Sequence, residues 1–375
     1  MASSAILDIP ELLNPIAGDL PTGQDLRLDS SPLSSYQTIK TARSAARDAE
    51  KNNIYNEGGG DADEYWRKIL TLAPKILREE SKDLEVATWL TEAMVRRYGF
   101  PGLRDSMQLI EGLLNQFWEN LYPMPDEDGI ETRVSPLIGL NGRSNDGVLI
   151  APIRRIPLTE GYTPGPFAYY QYQQAIEIER ITNEDTREAK AEKLGFTIAN
   201  IAQAVNESSE SYFVDILDDM AATIESCRNI EKLLDNLCGS EEAPSTRGIV
   251  LTVEECRSAV NHIAKHKLPL EVETPVQEEQ NSTSDAASGA GKPNAANTAN
   301  VIANALVSRD AAFKQLLEIA QFFRKTEPHS PVSYALEKAV KWGNMTLEDL
   351  IVELIPDSSS RKHFSELTGV KSNED

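Results

Sequence analysis

From Phe213 to Leu237 the apolar residues fall three, four or seven apart: Phe213, Leu217, Met220, Ile224, Cys227, Leu234 and Leu237. This period puts them on one face of an α-helix and excludes the strict alternation of a half-buried strand. It predicts a helix over 209–238, ended by Gly239, with a coiled-coil-like seam of about three and a half heptads. Similar stripes run through most of the chain, so the fold class is all-α.

Trp66, Ile69, Leu70, Ala73, Ile76 and Leu77 mark a helix from about Asp61, which Pro74 should kink or shorten. Ser81-Lys82-Asp83 opens another, striped by Leu84, Ala87, Thr91, Met94, Val95 and Tyr98 and stopped by Gly99. Pro101 starts the next. Ser31 as N-cap and Pro32 predict a helix to about Lys51, and Thr252 with Glu255 has capping-box spacing. Further helices are expected over 167–181 and 184–206, with a short one at 130–141 interrupted by Pro136. The β signal is confined to Val148–Ile150 and Ile153–Ile156, which read as a small hairpin. Residues 1–31, punctuated by Pro15, Gly18, Pro21 and Gly23, read as an extended arm with turns.

Residues 271–300 interrupt the stripes. From Glu278 to Gly291 no large apolar side chain occurs. Across the whole segment Glu271, Glu273, Glu278, Glu279 and Asp285 stand against Lys292 alone, a net charge of −4. Such a segment buries too little surface to offset its ordering entropy, so a flexible, disordered linker is expected. The chain thus divides into an N-terminal helical domain (1–165), a middle helical domain (166–270), the acidic linker (271–300) and a small C-terminal helical bundle (301–375).

In that bundle helices are expected at about 304–325 and 331–342, then one capped by Thr346 and one over 359–367. A domain of about seventy residues is marginal alone. Neither a disulfide nor a metal pattern is evident there, so association of copies is the expected remedy. Phe322, Phe323, Tyr334, Trp342 and Leu347 are the candidate contacts, because aromatic anchors dominate interface energetics. The other reading is that they fill the bundle's own core.

The formal net charge of −22 opposes binding to nucleic acid or an anionic lipid surface and favours solubility. No run reaches the length of a membrane-spanning helix, so direct membrane insertion is not expected. The opening residues lack the basic-then-apolar pattern of a secretory leader, which makes the cytoplasm the expected compartment. Cys227, Cys238 and Cys256 are too few and too irregularly spaced for a disulfide framework and read as small core residues.

Catalytic chemistry is sparse. His262 and His266 stand one helical turn apart, a spacing a metal can use, but the intervening Ile-Ala-Lys lacks the glutamate of a zincin motif. Two exposed histidines near a helix end fit better. Phosphate-cradling and nucleophile-elbow patterns do not occur. The expectation is no enzyme, no cofactor and no metal, with a metal or acid/base site at His262 and His266 as the competing reading. Trp66, Trp89 and Trp118 at helical spacing read as core.

Several motifs converge. Pro15-Ile16-Ala17-Gly18-Asp19-Leu20-Pro21-Thr22-Gly23-Gln24-Asp25-Leu26-Arg27, then Trp66, then Ser81–Leu90, Gly102-Leu103, Trp118–Pro123 and Arg133 resemble the ImpA-type N-terminal domain of the TssA family, components of the bacterial type VI secretion system. Arg309-Asp310-Ala311, Phe322–Val332, Trp342 and Met345 resemble that family's C-terminal domain.

The resemblance implies a non-enzymatic assembly factor, a homo-oligomer that forms a high-order ring through its C-terminal domains. It implies partners among the type VI sheath, inner tube and baseplate proteins. It also implies a cytoplasmic place on the membrane-docked apparatus through protein contacts. For a short chain it implies a baseplate-associated role, the alternatives being a sheath-distal cap or a generic helical scaffold. The arm, with Pro15, Gly18, Pro21, Gly23 and Asp25, is the candidate partner-binding segment, since turn residues present backbone groups without regular pairing. It can equally pack across the helices.

Overall fold

The computed structural model describes residues 2–55, 61–127, 129–143, 145–161, 163–239, 242–268, 309–326 and 331–343, and the single positions or short runs 345, 350, 353–355, 357 and 361. The chain divides into two compact units, residues 1–274 and 275–375.

In the first unit, α1 (Ile9–Leu12), α2 (Ser35–Tyr55), α3 (Ala62–Glu79), α4 (Leu84–Phe117), α5 (Glu131–Asn141) and α6 (Ile150–Arg154) precede α7 (Tyr169–Glu179), α8 (Glu184–Leu194), α9 (Ile198–Glu207), α10 (Glu210–Cys238) and α11 (Arg247–Ile263). Asp61, Asp83, Asn183, Thr197 and Ser209 each accept a first-turn N–H through a side-chain oxygen, which sets where five of these helices begin.

α2 packs on α3, α3 on α4, and α4 on α10. Arg104 meets Asp219 and Glu111 meets Asn229, so α4 and α10 run parallel. One continuous core joins them. Ile69 and Leu77 of α3, Leu90, Leu103 and Met107 of α4, and Phe213, Met220 and Ile224 of α10 are all buried in it. The segments read from the sequence as 1–165 and 166–270 therefore share a core, because the α10 stripe is covered by α4 of its own chain.

The described residues contain no strand; the backbone pairs only in isolated bridges, including Gly23 with Ser81 and Asp83 with Tyr122. The expected hairpin is instead α6, and its segment buries Leu149, Ile150 and Ile153. Pro152 lies in the first turn of α6, where no N–H is needed. α3 continues through Pro74 and α5 through Pro136. Burial of Ala73, Ile76 and Leu77 on either side of Pro74 offsets the lost hydrogen bond there. α2 begins a turn later than expected, since Ser31 and Pro32 form a turn closed by Ser34 N–H donating to the Ser31 carbonyl at 3.0 Å. Thr252 lies inside α11 and donates to the Gly248 carbonyl at 2.8 Å, so it caps nothing. Gly99 adopts φ +62° and ψ −133° inside α4, kinking it where the sequence ends one stripe and starts the next.

In the second unit α12 (Arg309–Thr326) packs on α13 (Val332–Gly343), burying Ala320, Ser333 and Val340. The expected linker, the helix start at Thr346 and most of the segment 359–367 lie outside the described residues.

Candidate functional site

The arm is stitched to the loop between α3 and α4. Gln24 N–H donates to the Glu80 carbonyl at 3.2 Å, and Lys82 N–H donates to the Thr22 carbonyl at 2.8 Å. Ile16 N–H donates to the Pro21 carbonyl at 2.9 Å, closing the turn through Gly18. Gly23 has φ +71°, and a Cβ there would lie 2.1 Å from the Glu80 carbonyl oxygen, so a side chain is excluded twice over.

Asp25 caps the short 3-10 turn Leu26–Leu28 by accepting from Arg27 N–H at 3.0 Å, while Leu26 is buried. That turn aims Arg27 at the start of α4. Arg27 Nη1 donates to Asp83 Oδ2 at 2.6 Å, and Nη2 donates to Asp83 Oδ1 at 3.3 Å and to Glu85 Oε2 at 2.6 Å. Asp83 at the same time accepts from Glu85 and Val86 N–H, capping α4. Tyr36 closes the group from α2, donating its hydroxyl to Glu85 Oε2 at 2.7 Å, and the guanidinium lies 4.9 Å from the Tyr36 ring centre. Burial pulls the Arg27 guanidinium down, but Asp83 and Glu85 outweigh it and raise it above its ordinary value. Lys82 points the other way, into the core. Its Nζ donates to the Leu12 and Leu77 carbonyls, both at 2.6 Å, and burial lowers it to about 8.

The five arm residues thus divide. Gly23 and Asp25 build the joint, while Pro15, Gly18 and Pro21 face solvent. So do Leu28, 84% exposed near the end of the arm, and Leu33, 90% exposed just beyond it.

A second charged group, absent from the sequence reading, holds the first residues of the chain. Arg104 and Asp105 of α4 and Asp219 of α10 are buried and linked, with Arg104 bonded to both carboxylates. Arg104 Nη1 donates to the Ser3 carbonyl at 2.7 Å, Ser3 Oγ donates to Asp219 Oδ2 at 2.7 Å, and Leu7 N–H donates to Asp105 Oδ2 at 3.0 Å. The signal was available: Arg104 and Asp105 stand between Leu103 and Met107 of the apolar stripe, and buried charges need partners.

On the second unit Phe322 is 62% exposed and Tyr334 is 59% exposed, while Phe323 is half-buried with its ring 5.8 Å from Phe322. Trp342 is half-buried and donates its ring N–H to Glu353 at 3.2 Å. Leu347 lies outside the described residues.

Trp66 and Trp89 are buried, and Trp66 donates to Glu50 at 2.7 Å. His266 Nε2 pairs with Asn206 Oδ1 at 3.0 Å, and His262 is exposed in the last turn of α11. Among the described residues, no three or more histidines, cysteines or acids gather as a metal site would require. Burial pushes the Cys227 and Cys256 thiols up to about 12, leaving them protonated core residues.

Residues 13–142, which span both halves of the arm joint, match the family described as ImpA, N-terminal, type VI secretion system. Along its whole length the chain is similar to the type VI secretion system component TssA1 of Pseudomonas aeruginosa, 26% identical over 98% of this chain and 100% of that protein. The chain thus carries an ImpA-type N-terminal domain, and over its full length it is similar to a TssA component. Its ImpA-type fold is similar to a solved N-terminal domain that includes the conserved ImpA_N region of TssA from Burkholderia cenocepacia. The TM-score is 0.57 at 26% identity, covering 69% of this chain and 94% of that one.

Several of the ImpA motif residues are structural in this chain. Arg133 of α5 donates to the Trp118 carbonyl at 2.7 Å and to the Pro123 carbonyl at 3.2 Å, and its guanidinium lies 5.0 Å from the Trp118 ring centre. It pins the Trp118–Pro123 segment that follows α4. Tyr122 in that segment bridges to Asp83, so the arm, the Ser81–Leu90 motif and the Trp118–Pro123 motif meet around the start of α4.

Proposed function

We propose that this protein, with its ImpA-type N-terminal domain, is a non-enzymatic assembly factor of the type VI secretion machine. Copies join through the C-terminal bundle, residues 301–375, into a high-order ring. The N-terminal units, carried on the linker 271–300, recruit or organise sheath, inner tube and baseplate subunits. Within the machine the reading is a baseplate-associated role, as the resemblance implies for a short chain. The protein sits in the cytoplasm and reaches the membrane-docked apparatus through protein contacts; among the described residues, no helix is long and apolar enough to cross a membrane.

The observation that carries this reading is the apolar outer surface of α12 and α13. Phe322 and Tyr334 are largely exposed, and Leu317, Ile319 and Val332 are exposed on the same two helices. Apolar surface on so small a unit is best covered by further copies of the chain. A ring multiplies weak contacts into avidity.

Sedimentation and negative-stain imaging of the full chain test it, alongside capture of separately purified sheath, tube and baseplate proteins. High-order rings that retain at least one of these components are expected. A well-folded monomer at working concentration would end the ring reading, and rings that retain none would end the recruiting role.

A further inference from the structure

Leu28 and Leu33 are the two most exposed large apolar side chains among the described residues, with Phe322 next at 62%. Single exposed leucines are ordinary on a protein surface, but these two share one turn whose backbone is fixed. Beneath it Leu26 is buried, and Leu28 N–H donates to the Asp25 carbonyl at 3.2 Å. Ser31 N–H donates to Asp29 Oδ1 at 2.9 Å, Leu33 N–H donates to Ser31 Oγ at 3.3 Å, and Ser34 N–H closes the turn on the Ser31 carbonyl. Both ends are anchored: Arg27 on Asp83 and Glu85, and the buried Tyr36 with its ring 5.4 Å from that of Trp89.

Ordering this turn costs conformational entropy, and two leucines left in water give no burial to offset it. An apolar pair presented on a fixed backbone is already arranged for a partner, since little further ordering accompanies binding. The charge around it is unbalanced. Asp25, Asp29, Glu80, Asp83 and Glu85 belong to the turn and its anchors, against Arg27 and Lys40. Arg27 is engaged by three of these acids, Asp25, Asp83 and Glu85, and Lys82 is turned into the core. The leucines therefore stand in a surplus of carboxylate.

We infer that residues 28–34 are a docking knob whose two leucines enter an apolar groove, bordered by lysine or arginine, on a partner protein. Leu28 and Leu33 supply the apolar anchors, and the carboxylates around them steer and select the basic border, because like charge is repelled there. The inference names a partner chemistry for the proposed function and rests on that reading only in taking the partner to be a protein. Sedimentation tests the ring and peptide binding tests the knob, so the two fail separately.

The experiment uses the full chain against an array of synthetic helical-hairpin peptides, each with an apolar groove between its two helices and lysine along the groove's border. Matched arrays replace every lysine with glutamine or glutamate. The strongest lysine-bordered peptide is then titrated by fluorescence anisotropy against wild type and the double variant L28A/L33A, at low and high salt. The expected result is saturable binding of lysine-bordered peptides alone, weakened by salt and roughly tenfold or more by the double variant. The variant keeps every charge, so unspecific attraction of lysine to an acidic chain would not produce that difference. Both side chains are exposed, so its melting temperature should match wild type.

The inference is overturned if no lysine-bordered peptide binds, if the glutamine or glutamate array binds as well, or if L28A/L33A binds as wild type does. Two controls complete the test. A lower sedimenting mass of L28A/L33A would overturn it in favour of a second copy of the chain. Phosphatidylcholine vesicles that retain wild type but not L28A/L33A would overturn it in favour of a lipid surface.

Discussion

Arg27 reaches 56 residues along the chain to Asp83, which in the same geometry caps α4 through Glu85 and Val86 N–H. One carboxylate thus ends the arm and begins the longest helix. Asp83→Ala removes the cap and leaves Arg27 without its main counter-charge. Breaking such a pair costs about 3–5 kcal/mol, so the urea midpoint should fall well below that of wild type. An unchanged midpoint would show that the arm is not fastened there.

Gly23→Ala tests the close approach of arm and loop. The left-handed φ and the 2.1 Å approach to the Glu80 carbonyl oxygen both oppose a methyl group. A loss of more than about 1 kcal/mol is expected, with faster proteolysis of residues 14–27 while the α10 core stays protected in hydrogen exchange.

Lys82 gives the stability a distinctive pH dependence. Burial lowers its pKa from 10.5 to about 8, so between these values the unfolded chain binds a proton that the folded chain does not. Stability from this group therefore rises with pH from about 8 to 10.5 and is flat below 8. The raised thiols of Cys227 and Cys256 act in the opposite sense above pH 9. The comparison is accordingly between wild type and Lys82→Met, whose stability difference should shift in favour of wild type across that window. A difference constant from pH 7 to pH 10 would refute the assignment.

Phe322→Ala with Tyr334→Ala removes the two most exposed aromatics among the described residues of the second unit. If copies meet there, the pair should lower the sedimenting mass while the melting of the first unit is unchanged, with each residue contributing about 2 kcal/mol or more if it is an interface anchor. Assemblies of unaltered mass would move the contact elsewhere on the chain.

The helical stripes, the stops at Gly99 and Gly239 and the arm motif were legible because each is a local property. A 3.6-residue period or a glycine at positive φ depends on a few neighbouring residues. The hairpin expected at 148–156 failed for a related reason. A short apolar run does not distinguish strand from helix, and burial of Leu149, Ile150 and Ile153 decided the matter. Thr252 failed in the same way, since a capping-box spacing inside a longer helix is satisfied by the Gly248 carbonyl instead.

By itself the sequence determined an all-α chain, the family motifs and the absence of familiar catalytic patterns. The tertiary structure decided which faces meet: that α10 lies along α4, that Arg104 finds Asp219, and that Arg27 finds Asp83. Period and capping act over a turn or two of backbone. The pairing of charges and stripes far apart in the chain depends on how helices close around a common core, and no local pattern encodes that.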